Sequence, residues 1–301
     1  MSFDLFAGKT LAIVGESGCG KTMTALSILR ILASPPALPL EGEVWFQERN
    51  LVTLSESALR SIRGSEIAMI FQDPMSALNP VYTIGEQLME VARLHLKMDE
   101  LAVFDRAVLA LEEVGIGEAN TRMDAYPHQL SGGMKQRVMI AMAMLCEPKV
   151  LIADEPTTAL DVTIQKQVLD LMRDLQRRKG TAILLITHDM GVVAEMADEV
   201  LVMYATRAVE KGDVFDLFDR MAHPYTQGLF ASLPHLAKRG SPLPTIAGRV
   251  PPVTELPSGC PFHPRCPFVM ECCKKGKVER FYLEEKHWVD CWLYERSNAK
   301  S

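Results

Sequence analysis

The segment "GESGCGKT" places glycines, a lysine and a threonine in the order G-x-x-x-x-G-K-[ST]. Its glycines let the backbone curl so that N–H groups point at phosphate oxygens, and the positive end of the following helix adds to this attraction. We predict that Lys21 reaches the β- and γ-phosphates of a nucleotide and that the Thr22 hydroxyl binds Mg²⁺. The residues expected to line the site are Gly15, Glu16, Ser17, Gly18, Cys19, Gly20, Lys21 and Thr22.

The alternative interpretation of this segment is a glycine-rich turn that contains a lysine by chance. Its surroundings favour the phosphate site, because it follows the strand-like stretch "LAIV" and precedes the helix-like stretch "MTALSILRIL". Cys19 occupies a variable position of the motif, and we interpret it as a small filler rather than a reactive group.

Acidic residues end a second apolar stretch, "VLIADEP". Asp154 and Glu155 are therefore predicted at the carboxyl edge of a sheet, where ligands of α/β folds bind. Asp154 suits a Mg²⁺ ligand, directly or through water, and Glu155 suits the base that polarises an attacking water. The alternative is an ordinary strand exit with a helix-capping acidic pair. Two more strand ends carry Gln72, a candidate for Mg²⁺ or the water, and His188, a candidate for the γ-phosphate.

The elements that must position these residues can also be predicted. Short apolar runs indicate buried parallel strands: "LAIVG", "IAMIF", "VLIAD", "AILLIT" and "EVLVMY". Helical patterns alternate with them, which predicts an α/β core with a mostly parallel sheet. Residues 100–114 carry a one-faced stripe that ends at glycines and consists of Leu101, Phe104, Val108, Leu111 and Val114. Residues 74–136 show helical patterns without a good strand, so we interpret them as an inserted helical subdomain.

Composition excludes several classes of protein. The chain has 301 residues, a formal net charge of −6 and a pI near 5.7, which argues against a protein built to bind nucleic acid. The sequence contains no apolar run long enough to span a bilayer and no signal-peptide pattern. We therefore expect a cytosolic location, where thiols stay reduced and clustered cysteines more often hold metal than form disulfides.

The stretch "LSGGMKQR" is a second candidate anion site, with Ser131, Gly132 and Gly133 at the start of a helix. One chain would then carry two phosphate-binding helix starts, more than one bound nucleotide requires. A symmetric dimer resolves this excess if each nucleotide is shared between the phosphate loop of one protomer and the SGG helix of its partner.

With these motifs in order, the sequence closely resembles the nucleotide-binding subunits of ABC transporters. The match runs through Walker A at 15–22, Gln72 of the Q-loop, the signature at 130–134, Walker B at 150–154 and Glu155, and then "ALD" at 159–161 and the switch His188. The resemblance implies an α/β P-loop NTPase core of the ABC ATPase type, with an inserted helical subdomain and a cysteine-rich C-terminal extension. It also adds Asp161 to the ATP-binding residues. Met134 replaces the glutamine usual in the signature, and no guanine-recognition motif occurs, so ATP is implied.

A finer resemblance is to the ATPases of di- and oligopeptide importers and the related nickel importers. "HPYTQGLFASLP" at 223–234 and "GCPFHPRCPF" at 259–268 carry it, with "IFQDPMSALNPVYTIGEQL" at 70–88. For this subgroup the resemblance implies a heterodimer with a second homologous ATPase subunit, with a homodimer as the alternative. The dimer would be docked on two transmembrane permease subunits at the cytoplasmic face of the plasma membrane. An extracytoplasmic solute-binding protein would supply the substrate.

The resemblance also suggests domain boundaries. We predict an ATP-binding core at 1–73 and 137–220, a helical subdomain with the signature motif at 74–136, and a peptide-importer extension at 221–301. The proline-rich stretch 238–259 is expected to be a linker or an extended wrap over the surface.

The N-terminal segment departs from the family pattern. Only fourteen residues precede Gly15, whereas family members carry a longer segment with strands and an adenine-stacking aromatic residue. We interpret Phe3 and Phe6 as core residues. The expectation is either a truncated start or a less firmly held adenine, at a cost on the order of 1–3 kcal/mol.

Four cysteines of the extension, Cys260, Cys266, Cys273 and Cys291, have the spacing C-x5-C-x6-C-x17-C. Zinc sites usually space the first pair by two to four residues, so this spacing is wide for zinc. Four thiolates also suit a [4Fe–4S] cluster, which some peptide-importer ATPases with a similar pattern carry. A cluster is our leading hypothesis; zinc, reduced cysteines and disulfides remain alternatives. Cys272 would be a spare, and His263 and His287 are alternative ligands.

Two alternative functions for the whole protein remain beside that of a peptide-importer ATPase. One is a soluble ABC protein of DNA repair or translation, although those usually have paired cassettes or long coiled-coil insertions, which this chain lacks. The other is a non-hydrolytic partner subunit that carries a cluster.

Overall fold

The computed structural model describes residues 1–33, 35, 37–38, 40–72, 77–158, 160–232 and 245–295. Its strands are β1 Thr10–Val14, β2 Trp45–Phe46, β3 Arg49–Asn50, β4 Ile67–Ile70, β5 Val150–Asp154, β6 Ala182–Ile186, β7 Glu199–Tyr204, β8 Arg207–Asp213, β9 Phe281–Tyr282 and β10 Trp288–Val289. Its helices are α1 Lys21–Ile28, α2 Glu56–Ile62, α3 Ile84–His95, α4 Glu100–Glu113, α5 Ala119–Arg122, α6 Gly132–Met144, α7 Val162–Lys179, α8 Met190–Met196, α9 Val214–Asp219 and α10 Pro224–Ala231.

The chain divides into two compact units. Unit 1 comprises Met1–Asp4, Thr10–Thr22 and Ile186–Ser301, and unit 2 comprises Leu5–Lys9 and Met23–Leu185. In the part of the chain that the structure describes, no helix is both long and apolar enough to cross a membrane.

Unit 1 contains strands in the order β1, β7, β8, β10, β9. β1 pairs with β7 in parallel, with Leu11 opposite Glu199, and every residue of β1 is buried, as expected for an apolar strand covered on both faces. β7 and β8 form an antiparallel hairpin, and β10 pairs antiparallel with β8 and with β9. The hairpin turns at Ala205 and Thr206, whose φ values of 43° and 66° are those of a tight turn matched to strand twist.

Unit 2 places β5 between β4 and β6, with β4 and β5 parallel and Ile67 opposite Val150. Helices α3, α4 and α6 pack on one another. Their starts follow from the sequence, because each is preceded by a residue whose side chain accepts a hydrogen bond from the first turn. These N-caps are Thr83 for α3, Asp99 for α4 and Ser131 for α6, and Thr83 forms a reciprocal capping box with Glu86.

The five predicted strands are confirmed, while the strand pairing is more mixed than the prediction of a mostly parallel sheet. The predicted stripe on α4 is wrong at its first position, because Leu101 is 72% exposed and Val103 is buried instead. Phe6 is 59% exposed, so its assignment to the core is also wrong. Residues 74–76 of the predicted subdomain and 238–244 of the predicted linker lie outside the described residues.

Candidate nucleotide site and cysteine pocket

The phosphate loop of unit 1 connects β1 to α1. Gly15 is the position where only glycine fits, because a Cβ there would lie 2.2 Å from the carbonyl oxygen of Met203. Gly18 and Gly20 have φ values of 80° and 104°, a backbone region that side-chain-bearing residues rarely adopt. The Lys21 Nζ donates to the carbonyl oxygens of Gly15 at 2.8 Å and Glu16 at 3.1 Å, so the loop itself holds the ammonium group.

Contacts from distant parts of unit 1 brace this loop. The Glu16 N–H donates to the Tyr225 hydroxyl at 2.7 Å, and the Thr206 N–H of the β7–β8 turn donates to the Cys19 carbonyl at 2.9 Å. Burial raises the pKa of Tyr225 above its usual range, so its hydroxyl stays protonated. Cys19 is fully buried, in agreement with its interpretation as a filler, and burial also raises the pKa of its thiol. The Arg265 guanidinium also contacts the loop, through the Glu16 carboxylate.

Three polar residues meet at the end of β5 in unit 2. The Glu155 Oε2 accepts hydrogen bonds from the Gln72 Nε2 and the Thr158 Oγ1, each at 2.9 Å. Glu155 has a φ of 47°, and a non-glycine residue held in this left-handed region costs about 1–3 kcal/mol, a kind of strain that concentrates at functional sites. Asp154, the last residue of β5, is 1% exposed.

The signature segment of unit 2 begins α6. The Ser131 Oγ accepts from the Met134 N–H at 3.3 Å, and the buried Gln136 side chain donates to the Pro156 carbonyl next to Glu155. The structure thus ties the signature helix to the segment that follows β5, a link that the sequence analysis did not predict.

Two glycines, Gly132 and Gly133, open the signature helix, and they differ in the space around them. A Cβ at Gly133 would lie 2.8 Å from the Ile164 Cγ2, whereas a Cβ at Gly132 would have nothing within 4 Å. Asp161 caps α7 by accepting from the Thr163 and Ile164 N–H groups at 3.1 and 3.0 Å. Ala159 of the predicted D-loop lies outside the described residues.

His188 belongs to unit 1 and is exposed two residues after β6. Its neighbour Asp189 caps α8, with its Oδ1 accepting from the Gly191 N–H at 2.8 Å. The predicted site residues therefore fall into two sets. Unit 1 holds the phosphate loop and His188; unit 2 holds Gln72, Asp154, Glu155, the signature residues and Asp161.

A second candidate site in unit 1 is a cavity lined by the four predicted cysteines, which we call the cysteine pocket. Its other walls are mainly apolar and aromatic; the lining residues are Cys260, Cys266, Cys273, Cys291, His223, Pro224, Phe262, His263, Phe268, Val278, Trp292 and Leu293. The segments around Cys260 and Cys273 meet at Gly259, where a Cβ would lie 2.3 Å from the Cys273 carbonyl oxygen. The same carbonyl accepts a hydrogen bond from the Cys260 N–H at 2.9 Å.

Two thiols of the cysteine pocket have strongly raised pKa values. Burial raises the pKa of Cys260 to about 11 and that of Cys291 to about 12. All seven cysteines are free. Within the described ranges, no three His, Cys, Asp or Glu side chains stand close enough together to hold a metal ion. Cys272 is exposed and does not line the pocket, as expected of a spare.

The two histidines considered as ligands have different surroundings. The His263 Nδ1 lies 2.9 Å from the Cys260 carbonyl at the pocket wall. His287 is elsewhere: its Nε2 lies 2.9 Å from the buried Glu210 carboxylate, so His287 was wrongly considered. Two other pocket residues, His223 and Trp292, carry buried ring nitrogens, Nε2 and Nε1, without a hydrogen-bond partner in the described part of the chain.

Sequence reasoning missed the residues that brace the phosphate loop. Tyr225, Arg265 and Thr206 lie far from Gly15–Thr22 in the chain and belong to no motif that marks a contact with phosphate. Tyr225 and Arg265 do lie in the two C-terminal stretches, "HPYTQGLFASLP" and "GCPFHPRCPF", that carried the finer resemblance. That coincidence was the one available signal.

Comparison with known proteins places these features in a family. A model of the ABC transporter family matches residues 1–158, and a model of the oligopeptide/dipeptide transporter C-terminal region matches residues 209–273. The dipeptide transport ATP-binding protein DppD of Bacillus subtilis is 48% identical over 296 residues, covering 98% of this chain and 88% of DppD. The oligopeptide transport ATP-binding protein OppD of Salmonella typhimurium is 51% identical over 276 residues, covering 92% and 82% respectively.

Solved structures agree with the sequence relatives. The ATP-binding cassette MJ0796, in a dimeric post-hydrolysis state bound to ADP and Pi, is 26% identical with a TM-score of 0.61, covering 70% of this chain and 88% of that one. CbiO1 from Clostridium perfringens, part of an ABC transporter complex, is 29% identical with a TM-score of 0.63, covering 73% and 83%. The chain, with its phosphate loop, its Glu155 cluster and its capped signature helix, belongs to the ATP-binding proteins of the ABC transporter family.

Proposed function

We propose that the protein is the ATP-hydrolysing subunit of a bacterial importer for di- or oligopeptides. The observation that carries the proposal is the coincidence of two matches in one chain, the ABC transporter model over 1–158 and the oligopeptide/dipeptide transporter C-terminal region over 209–273. The named relatives DppD and OppD, at about half identity, support the same substrate class. An importer for nickel or another small solute is the alternative within the subfamily.

In this proposal the phosphate loop binds the triphosphate through the backbone of Gly15–Thr22 and the Lys21 ammonium, with Ser131, Gly132, Gly133 and Asp161 as further ATP-binding residues. Thr22, Gln72 and Asp154 would supply the hydroxyl, amide and carboxylate oxygens that Mg²⁺ prefers. When bound, Mg²⁺ neutralises charge on the phosphate oxygens.

Hydrolysis requires an aligned water and charge neutralisation more than covalent chemistry. Glu155 is the proposed base, and its hydrogen bonds from Gln72 and Thr158 fix the orientation of the carboxylate. Gln72 also links this carboxylate to the start of the inserted segment, and His188 is proposed to hold the γ-phosphate.

The experiment is Glu155→Gln with ATP affinity and steady-state hydrolysis measured on the same preparation. The amide keeps the size of the side chain but cannot take up a proton, so ATP binding should persist while turnover falls by about 10²-fold or more. Glu112→Gln, an exposed carboxylate on α4, is the matched control. Substantial turnover in Glu155→Gln would exclude Glu155 as the base. A wild-type chain that binds ATP without hydrolysing it, alone or with a partner, would instead favour the non-hydrolytic rival.

A dimer follows from the two phosphate-binding helix starts, and the solved MJ0796 cassette is itself dimeric. The proposed partner is a second homologous ATPase subunit, in a heterodimer or a homodimer. Glu155→Gln with saturating ATP should trap this dimer, because hydrolysis is what reopens it. Light scattering with and without ATP, on the chain alone and mixed with a candidate partner, separates the two cases.

Transport would further need two transmembrane permease subunits and an extracytoplasmic binding protein, with the chain bound peripherally at the cytoplasmic face of the membrane. Gln72 and the helical subdomain 74–136 are the proposed coupling surface, and 1–73 with 137–220 the proposed ATP-binding core. Co-purification of membrane subunits with the tagged chain tests this assembly. A chain recovered only in the soluble fraction, without them, would favour the soluble ABC protein of DNA repair or translation.

For the cysteine pocket we propose a [4Fe–4S] cluster held by Cys260, Cys266, Cys273 and Cys291. Four thiols line one cavity in the 221–301 extension, so the donor atoms are of a kind that fits a cluster. Because no three of these side chains stand close enough together to hold a metal ion in the described structure, the thiols would have to move to bind it. The buried N–H groups on His223 and Trp292 fit as well, because cluster sulfurs accept hydrogen bonds of this kind. Burial lowers the pKa of His223 to about 4, so its ring is neutral; its Nδ1 accepts from the Tyr225 N–H, which leaves the proton on Nε2.

Anaerobic purification with iron and acid-labile sulfide analysis tests the cluster. We expect about four irons per chain and visible absorbance, by the stoichiometry of a four-cysteine cluster. Cys291→Ser should lose both, whereas the exposed Cys272 provides the control Cys272→Ser, which should retain both. Zinc without sulfide would indicate a zinc site, and a metal-free chain with reactive thiols would leave reduced cysteines.

A further inference from the structure

An ion pair inside unit 1 joins the cysteine-bearing extension to the phosphate loop. The Arg265 Nη1 lies 2.7 Å from the Glu16 Oε2, and the Arg265 Nη2 lies 3.0 Å from the Glu16 Oε1, the two-pronged geometry of a strong guanidinium–carboxylate bond. The Arg265 side chain is only 5% exposed and that of Glu16 is 29% exposed. The pair is therefore largely shielded from water. Shielded charges attract each other more strongly than charges at the surface.

The surroundings of Arg265 hold its guanidinium in place. Its Nε donates to the Ala247 carbonyl at 2.7 Å, and its Nη2 also reaches the carbonyls of Ile246 and Gly248 at 3.3 and 3.4 Å. The guanidinium carbon lies 5.7 Å from the centre of the Tyr204 ring. Arginine is suited to such a site because its planar group bonds in two directions and stacks on aromatic rings.

Glu16 presents a problem that this pair resolves. It is the second residue of a loop that must accept a highly charged triphosphate, and a carboxylate there repels the ligand. Arg265 cancels the charge. The extension also contacts the backbone of the same residue, because the Tyr225 hydroxyl accepts a hydrogen bond from the Glu16 N–H. This N–H is therefore engaged, and the other N–H groups of the loop remain for phosphate.

We propose that Arg265 is a positioning residue of the nucleotide site: it neutralises and anchors Glu16, so that the C-terminal extension sets the affinity of the phosphate loop for ATP. Arg265 lies between Cys260 and Cys266, and the adjacent Phe262 packs on Tyr204 and Tyr225 with ring centres 5.2 and 5.4 Å apart. The segment that forms one wall of the cysteine pocket is thus the segment that holds the loop.

The test is a double-mutant cycle on the full chain, with dissociation constants for ATP and ADP measured by titration calorimetry. Arg265→Gln should weaken ATP binding by about tenfold or more, as expected when one partner of a shielded charge pair is removed. The loss for ADP should be smaller, because ADP carries less negative charge. Glu16→Gln should bind ATP more tightly than wild type, since it leaves Arg265 uncompensated beside the phosphates. The double variant should recover most of the affinity lost in Arg265→Gln.

Two further variants separate this role from a general effect on folding. Arg280→Gln removes another arginine of the extension, one that pairs with Asp290 at 2.9 Å and stacks on Trp288, and should leave both affinities unchanged. Arg265→Lys keeps the charge without the two-pronged bond and should bind ATP more tightly than Arg265→Gln. Melting temperatures of all variants complete the comparison.

Wild-type ATP affinity in Arg265→Gln would overturn the proposal. So would a double variant as weak as Arg265→Gln, or equal losses for ATP and ADP with a lowered melting temperature, because each would show that Arg265 acts through folding of the extension rather than through the charge of Glu16. The inference rests on the proposed ATP site but not on peptide transport or the cluster. A wild-type chain that fails to bind ATP would refute the proposed function, whereas ATP binding insensitive to Arg265 would refute this inference alone.

Discussion

Glu210 should be among the most sensitive positions of the C-terminal half. It lies on β8, is fully buried, and accepts hydrogen bonds from the Ala222 N–H at 2.8 Å and the His223 N–H at 2.9 Å. His287, just before β10, places its Nε2 2.9 Å from the same carboxylate. One side chain therefore fastens both the start of α10 and the β9–β10 hairpin to β8.

Replacing it with leucine removes every acceptor while keeping the volume close to that of glutamate. Three buried donors left unpaired, at about 1–3 kcal/mol each, set a lower bound near 3 kcal/mol. Single substitutions that cost more than about 4–5 kcal/mol are exceptional, which sets the upper end of the range. We therefore expect Glu210→Leu to lower the free energy of unfolding by about 3–5 kcal/mol. With a urea m-value of about 3 kcal/mol/M, the midpoint should fall by about 1 M or more.

Urea unfolding followed by circular dichroism measures this loss. The urea midpoint of Glu210→Gln should lie between those of wild type and Glu210→Leu, because the amide keeps one acceptor oxygen. The control is Glu284→Ala, which breaks an ion pair with Arg220 in the same extension between side chains that are 58% and 42% exposed. Such exposed pairs contribute less than about 1 kcal/mol. If Glu210→Leu shifted the midpoint no further than Glu284→Ala, the assignment of Glu210 as a structural anchor would be wrong.

Three smaller changes test the geometry of the loops. Gly15→Ala should abolish detectable ATP binding, measured by calorimetry, because the new Cβ would collide with the Met203 carbonyl at 2.2 Å and the backbone would have to move. Gly133→Ala should reduce hydrolysis, and Ile164→Ala in the same chain should restore part of it by removing the Cγ2 that lies 2.8 Å from the new Cβ; no restoration would show that the clash is not the cause. Cys19 should react with iodoacetamide far more slowly at pH 8 than Cys272, because burial raises its thiol pKa and shields it; equal labelling rates, read by mass spectrometry, would contradict this.

Much of the site could be predicted because its chemistry depends on local order along the chain. A strand followed by a glycine-rich turn and a helix can be recognised from spacing alone, and so can polar residues such as Glu155 at strand ends. Helix starts also depend on nearby residues, since the Ser131 and Asp161 side chains accept hydrogen bonds from N–H groups two or three residues further along the chain. The five apolar strands were recoverable for the same reason.

The predictions of burial failed where a local pattern could not show which side chains the rest of the fold covers. Leu101 fits the helical period of α4, yet it is 72% exposed, because periodicity identifies a stripe but not the residues that a neighbouring helix covers. Phe6 is apolar but 59% exposed for a similar reason: hydrophobicity alone does not place a residue inside. His287 is close to Cys291 in sequence, yet the fold pairs it with Glu210, 77 positions away.

Motif order and spacing were enough to predict the family, the phosphate loop and the four cysteines proposed as ligands. The contacts that support these residues are visible only in the folded chain. Arg265 reaches Glu16 across 249 positions, and Tyr225 reaches the same residue across 209. No spacing rule covers such distances, because the contacts depend on the pairing of β1, β7 and β8, which places the extension beside the loop. A motif encodes the groups that perform chemistry, and long-range packing sets the charge and the backbone geometry in which they perform it.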